Sequence, residues 1–313
     1  MLSSAQVKAK ALELGFDACG VAPAHDFPEL RFLPQWLARG YAGTMTYLHR
    51  SAVRRSDVRR VVPSAKSVIV TATLYNTDRP YSVETADART GHIARYAWGE
   101  DYHEVIGARL DTLRAWIADT AEEPVEARSY VDTGPVQERV YAQYAGVGWI
   151  GKNTCVINPT IGSWIFLGEI ITSLALEPDA PALDQCGSCT LCLEACPTQA
   201  FTAPHVLDST RCISYLTIEY RGRVEDPALR EAIGSHVYGC DVCQEVCPWN
   251  SPAPVSTDPA WQPRATWDRP PLVSLLHMSD EDLQAALSGS AMQRAKPEGL
   301  RRNVQVASEN AGI

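Results

Sequence analysis

No unbroken apolar stretch in this 313-residue sequence is long enough to span a bilayer; the longest, WIFLGEIITSLAL, is interrupted by Glu169. A secretory leader is missing from the start. MLSSAQVKAKALELGFDACG carries Lys8, Lys10, Glu13 and Asp17 where a leader would need apolar residues, and no twin-arginine signal stands near it. Low-complexity tracts and evident repeats are absent too, leaving an ordinary globular composition, 45% hydrophobic and 21% charged. Positive charge is in deficit: the net charge of −9 argues against nucleic-acid binding through the overall field. The chain is therefore expected to be cytoplasmic, off the membrane and in a reducing compartment. Ten cysteines there are better suited to metal than to disulfides.

The basic residues that are present cluster. HRSAVRRSDVRRVVPSAK (49–66) has six Lys/Arg against one Asp, and QRAKPEGLRR (293–302) has four against one Glu. Each run reads either as a solvated face or as a local anion-binding surface.

The length predicts two or three domains, with boundaries at 1–175, 176–250 and 251–313. The first reads as α/β. SVIVTATLY (67–75) and VEARSYV (125–131) are β-branched runs of strand length. Between them, DYHEVIGARLDTLRAWIADT (101–120) places Val105, Ile106, Leu110, Leu113, Trp116 and Ile117 at helical spacing. A second helix is expected to begin at Pro135, which suits a first turn, and to end near GVGWIG. TCVINP and LGEIITSLAL supply further strands. After EPDAPALDQCG the pattern turns cysteine-rich, and beyond Trp249 a Pro/Trp-rich linker leads to short helical patterns over 271–313.

Eight of the ten cysteines lie in that middle segment. CGSCTLCLEACP holds Cys186, Cys189, Cys192 and Cys196 with bacterial two-cluster ferredoxin spacing, in which the fourth thiolate ligates the other cluster. GCDVCQEVCP supplies Cys240, Cys243 and Cys247 but has Val237 where a fourth cysteine would fall. Cys212 in STRCISYLTIE makes up the number. Crossed wiring assigns Cys186, Cys189, Cys192 and Cys247 to one [4Fe–4S] cluster and Cys196, Cys212, Cys240 and Cys243 to the other. Zinc is the rival metal, since soft thiolates take either. Cys19 and Cys155 remain over and read as small buried hydrophobes. Paired clusters move electrons singly and transform no substrate themselves. An electron carrier needs no 175-residue domain ahead of its cluster module, so the asymmetry favours an enzyme.

The segments IARYAWGEDYHEVIGARL, YVDTGPVQERVYAQYAGVGWIGKNTCVINP, CGSCTLCLEACPTQAF, CISYLTIEYRG and GCDVCQEVCPWN closely resemble the epoxyqueuosine reductase family, from near residue 10 to RRNVQVASENAG. The resemblance implies three parts. These are an α/β (α+β) cobalamin-binding domain with a core like that of reductive dehalogenases and nitroreductases, a two-[4Fe–4S] ferredoxin-like domain, and a short C-terminal helical, HEAT-like segment. It implies an oxidoreductase that reduces epoxyqueuosine at the tRNA wobble position to queuosine. A cobalt corrin would accumulate electron pairs from the clusters and attack an epoxide carbon while an acid protonates the leaving oxygen. The resemblance makes Asp132 that acid; it ends a predicted strand before a Gly-Pro turn, where an open α/β fold places chemistry. The plain alternative is that Asp132 or Thr133 caps the helix at Pro135.

Cofactor contacts are implied for Arg55, Tyr96, Asp132, Lys152, Asn153, Ser214, Tyr215 and Asp241, the last inside a cluster loop where it could touch the corrin. DYHEVIG tempts one toward a histidine-ligated cobalt box, but its glycine is one residue late, and His103 is rejected as a cobalt ligand. Phosphate contacts to tRNA are expected from Arg221, Arg223, Arg294, Lys296, Arg301 and Arg302. The remaining partner is an external one-electron donor of flavodoxin or ferredoxin type, and the chain is expected to be a monomer. Two other readings stay open: a cobalamin-dependent reductase of a small molecule, and a ferredoxin-type electron-transfer protein.

Overall fold

The computed structural model describes residues 2–85 and 87–313. Two compact units emerge, and neither is continuous in sequence: residues up to 40 join 46–74 and 102–188, while 41–45 and 75–101 join 189–313.

The first unit is built on a four-stranded sheet of β1 (Ala18–Pro23), β2 (Ser67–Leu74), β3 (Ala127–Tyr130) and β4 (Ile165–Thr172), in the spatial order β1-β2-β4-β3. Every pairing is antiparallel, with Ser67 opposite Thr172 and Leu74 opposite Ile165 along the central pair. The domain is therefore α+β. All eight residues of β2 are buried, as a β-branched run covered on both faces requires. The expected strand LGEIITSLAL begins two residues earlier, at Ile165, because β4 runs the whole length of β2.

Helix α1 (Ser4–Glu13) starts on a Ser3/Gln6 capping box, and α2 (Thr46–Arg55) is the basic run. Helix α3 (Tyr102–Thr120) forms where its periodicity predicted, burying Ile106, Leu110, Leu113 and Ile117 as one stripe. It lies close on β4 because Gly168 has no side chain: a Cβ there would come within 2.9 Å of Leu110 and 3.1 Å of Ile106. Alternation along the strand then sends Glu169 to the opposite face, beside Val70 and Ile171 of the main apolar core. On that face packs α4 (Glu138–Tyr144), whose C-terminal Ala145 carbonyl would stand 1.9 Å from any Cβ at Gly20.

Helix α4 begins three residues after the expected Pro135. Tertiary hydrogen bonds hold the approach open. Arg55 Nη1 donates to the Val136 carbonyl at 2.7 Å, and Gln137 Nε2 donates to the carbonyls of Leu30 and Arg55, each at 3.0 Å. TCVINP contributes Val156–Ile157, paired with Trp149–Ile150 in a small hairpin.

In the second unit, α5 (Leu191–Glu194), α6 (Ile213–Ile218), α7 (Pro227–Ile233), β5 (His236–Tyr238), α8 (Val242–Glu245), α9 (Leu272–His277), α10 (Asp280–Leu287) and α11 (Lys296–Ala311) follow in order. β5 pairs in parallel with a short strand, His92–Ile93. Ile93, Ala97 and Trp98 share a core with Leu272, Leu275, Leu283, Leu300 and Val304. Buried Asn303 on α11 donates to the carbonyls of Thr217 and Val237, at 2.7 and 2.9 Å. The C-terminal helices are thus integral to this unit's core. Among the described residues, no helix is long and apolar enough to cross a membrane.

Candidate active site and cluster-binding loops

Asp132 follows β3 with φ of 55°, in the left-handed region that aspartate and asparagine tolerate better than most residues. Its Oδ2 accepts a hydrogen bond from the Tyr102 hydroxyl at 3.1 Å, and His103 Nε2 stands 3.6 Å away. Tyr102 is itself fixed between rings: it stacks on Phe166 of β4 with centroids 4.5 Å apart and on His103 at 4.0 Å. The Asp132 side chain is 57% exposed, open to an incoming molecule while anchored from one side. Surrounding protein pushes its carboxyl up, but His103, Tyr102 and Arg139 outweigh that and hold it below the usual carboxylate range. With this exposure the neighbouring charges act through hydrated space and are screened by solvent.

The capping alternative fails on geometry. The N-cap of α4 is Gln137, without a side-chain cap, and the Thr133 hydroxyl donates to the Val131 carbonyl. The strand-end rule for parallel sheets does not apply to an antiparallel one either. What presents Asp132 is the left-handed turn itself.

Two further carboxyls lie beside it that the sequence did not single out as functional. Glu138 lies in the first turn of α4, and burial pushes its carboxyl up to about 7, helped by the charge of Asp132. Glu169, 1% exposed, is pushed well above the usual range by burial and then by the charges of Glu138 and Asp132, and its Oε1 has no hydrogen-bond partner. Arg55 belongs to the same neighbourhood. Its Nε donates to Ser51 Oγ at 2.9 Å, and burial depresses its guanidinium against the pull of Glu138, Tyr47 and Asp132. His103, rejected as a metal ligand, is thus part of the Asp132 site; its place on the first turn of α3, beside Tyr102, was the available signal.

Elsewhere in the first unit, Lys152 Nζ donates to the Gly187 carbonyl at 2.7 Å, and buried Asn153 accepts from the Cys155 N–H through Oδ1. In the second unit, the Tyr96 and Tyr238 hydroxyls stand 3.5 Å apart, and Ser214 lies on α6. The Tyr215 hydroxyl bonds the Thr44 main-chain N–H and hydroxyl, at 2.8 and 2.9 Å. Asp241 Oδ2 accepts the Arg95 N–H at 2.6 Å. Tyr215 and Asp241 therefore brace their own unit.

The cysteine loops repeat one local device. Cys189 precedes α5 and Cys192 lies in it; Cys240 precedes α8 and Cys243 lies in it, and the two short helices pack together. Cys196, Cys212 and Cys240 feel one another electrostatically, as three members of one thiolate set must. Main-chain N–H groups point at their sulfurs: Ala200 at Cys196 (3.3 Å), Ser214 and Tyr215 at Cys212, and Val242 at Cys240. Such N–H···S bonds stabilise the negative charge of cluster-ligating thiolates and tune cluster potential. All ten cysteines are unbridged, and Cys247 is buried. Among the described residues, no three His, Cys, Asp or Glu side chains converge on a single-ion site. In a [4Fe–4S] cube each iron takes one thiolate, which spreads the ligands over a larger volume than one ion would. Burial raises the Cys19 thiol to about 12, so it stays protonated, in keeping with the reading of a small hydrophobe.

Most of the expected phosphate-binding arginines have internal partners. Arg221 donates to the carbonyls of Ala295 and Arg294, Arg294 pairs with Glu219, and Arg301 pairs with Asp280. Arg302 donates to the carbonyls of Tyr220, Gly222 and Leu216. Arg223 lines an open groove of about 320 Å³ that also includes Arg221, Arg230 and Arg302. Among the described residues, the side chains of Arg223 and Lys296 form no ion pair.

The thiolate loops and the anchored aspartate define an iron–sulfur oxidoreductase. Residues 185–250, which contain all eight cysteines of the cluster loops, match the 4Fe-4S double cluster binding domain, and residues 55–133 match the family model "Epoxyqueuosine reductase QueG, DUF1730". An epoxyqueuosine reductase of Gloeobacter violaceus is 43% identical over 99% of this chain and 97% of its own; one from Synechocystis is 41% identical over 91% and 98%. A crystal structure of epoxyqueuosine reductase with an epoxyqueuosine-modified tRNA-Tyr stem loop superposes with a TM-score of 0.88 at 31% identity, covering 98% of this chain and 80% of that one. The chain belongs to the epoxyqueuosine reductase family.

Proposed function

We propose that this protein reduces the epoxide of epoxyqueuosine, at the wobble position of tRNA, to the alkene of queuosine, with Asp132 as the acid. The observation that carries the reading is the pairing of full-length likeness to reductases of that name with an exposed, pre-oriented aspartate held by Tyr102. The balance is an epoxide plus two electrons and two protons giving an alkene and water. Cobalamin, when bound, supplies a cobalt nucleophile able to hold an electron pair, which the two clusters deliver one at a time.

A corrin ring carries amide arms, so it needs hydrogen-bond donors and acceptors; buried Asn153 offers both, Lys152 a charged donor and Ser214 a hydroxyl. Arg55 lies within electrostatic reach of Asp132 and fits a place at the same site. Tyr96, Tyr215 and Asp241 complete the proposed contacts, the last two by holding their loops. Asp132 delivers its proton to the leaving oxygen while Tyr102 keeps the carboxyl aimed. Since its carboxyl is depressed in the open site, exclusion of water by bound substrate must raise it before it can donate.

The eight cysteines hold two clusters in the crossed arrangement, Cys186, Cys189, Cys192 and Cys247 on one and Cys196, Cys212, Cys240 and Cys243 on the other. Arg223 and Lys296 are the phosphate contacts we favour. Arg221, Arg294, Arg301 and Arg302 shape that surface through their internal bonds. A flavodoxin- or ferredoxin-type donor, a monomeric state and a cytoplasmic location complete the reading.

The test is metal analysis of anaerobically purified protein reconstituted with cobalamin, followed by an assay on tRNA from cells lacking the activity. Iron, sulfide, corrin uptake and loss of epoxyqueuosine support the reading. Turnover of a halogenated phenol without turnover of modified tRNA would install a small-molecule reductase in its place.

A further inference from the structure

We propose that Glu245, a buried carboxylate without a cationic partner, is a fixed negative charge that lowers the reduction potentials of both clusters. Resting on the assignment of the eight cysteines to two clusters, this gives the cluster loops a potential-setting residue.

Glu245 ends α8 and is 7% exposed. It stands two residues after Cys243 and two before Cys247, which the crossed arrangement gives to different clusters. Helical rise separates it from Cys243 by only about 3 Å along the axis. Cys247 follows directly, its N–H donating to the Gln244 carbonyl at 3.1 Å. One charge at this position therefore lies between ligands of both clusters.

Donors alone hold its oxygens. The Ser82 N–H donates to Oε1 at 2.7 Å, the Ser82 hydroxyl to Oε2 at 2.6 Å, and the Val83 N–H to Oε2 at 3.2 Å. Each oxygen thus takes a main-chain N–H, which can only donate, and the arrangement suits the ionised group. Among the described residues Glu245 forms no ion pair, although Arg269 lines the same small cavity. His236 lines it too, but burial holds that ring below the ordinary histidine range, so it is uncharged at neutral pH. Asp241, also on the cavity wall, brings a charge of the same sign as Glu245.

A buried carboxylate that no cation pairs is costly, and a neutral acceptor could have held the Ser82–Glu84 turn. The neighbourhood is tied down elsewhere as well. The Tyr81 hydroxyl donates to the Asn250 carbonyl, and Asn250 Nδ2 donates to the Gln244 carbonyl, both at 2.8 Å. What the carboxylate adds is charge. With four thiolates the oxidised cube carries about −2, and it takes one electron from the external donor to reach about −3. A fixed negative charge close by in a low-dielectric interior opposes that electron and lowers the potential. Each reduced cluster is then a stronger one-electron donor to cobalt, as charging a nucleophile requires.

Redox titration of the intact, anaerobically purified protein, read by electron paramagnetic resonance of the reduced clusters, tests the charge. Glu245→Gln keeps the shape and an oxygen acceptor. It should raise both potentials by about 59 mV, tenfold in each one-electron equilibrium, with iron content unchanged. Glu245→Asp keeps the charge, and Ser82→Ala loosens the turn while leaving the carboxylate; both should titrate like the native protein. Native potentials in Glu245→Gln, a rise in one cluster only, a loss of bound iron, or an equal rise in Ser82→Ala overturns the inference. Native protein with fewer than two clusters would sink the cluster assignment and the inference together, whereas a full iron complement with unmoved potentials sinks the inference alone.

Discussion

Replacing Asp132 by asparagine separates proton donation from everything else the residue does. Asparagine is among the side chains best tolerated at φ of 55°. Its amide oxygen can still accept the Tyr102 hydroxyl now 3.1 Å from Oδ2. The side chain is 57% exposed, so little packing changes. What disappears is the transferable proton. Positioned general acids contribute about 10²–10⁴ in rate, or about 3–5 kcal/mol of barrier, and Asp132→Asn should lose that much with cofactor content intact. The assay is single turnover on a stem loop carrying epoxyqueuosine, with product nucleosides resolved by mass spectrometry, beside iron and corrin analysis of the same sample. Turnover within about threefold of native, far short of an acid's usual contribution, would remove Asp132 from the mechanism.

Cys212→Ser should cost one cluster and spare the other, lowering bound iron from about eight to about four per chain by elemental analysis; full loss or full retention would undo the crossed assignment. Burial raises the Glu138 carboxyl from 4.5 to about 7, so its contribution to stability is complete below about pH 4.5 and is lost as pH rises through 7; urea unfolding of Glu138→Gln should show a flatter dependence over that window. Gly20→Ala drives a Cβ to 1.9 Å from the Ala145 carbonyl and should destabilise the first unit by about 2–3 kcal/mol, seen as a lowered first thermal transition. Arg223→Ala should weaken stem-loop binding and lower its salt dependence by about one unit of slope without touching stability. Arg302→Ala, which removes donors to three carbonyls, should instead lower stability.

Helix α3 and strand β2 were readable because their signals are local: one apolar stripe at period 3.6 and one β-branched run. The eight cysteines were readable because cluster spacing is short and chemically specific. The start of α4 was misjudged since Pro135 suits a first turn, whereas Arg55 and Gln137 hold the chain open through bonds to carbonyls distant in sequence. Glu169 registered only as a break in an apolar run. Its burial comes from the pairing of β4 with β2 and the packing of α4 on that strand, which no local pattern carries. The arginines of 293–302 looked like a basic surface, yet their acceptors come mostly from distant turns, Glu219 and Asp280 among them.

The core that holds Trp98 is complete only once Leu300 and Val304 exist, about 200 residues further along the chain. At typical synthesis rates of about 5–20 residues per second, that is a wait of about 10–40 seconds on the ribosome with an indole and its neighbours uncovered. A nascent chain of this kind should lean on holdase chaperones during translation. Excising 189–313 as a stand-alone iron–sulfur module should yield insoluble material unless residues 75–101 are supplied with it.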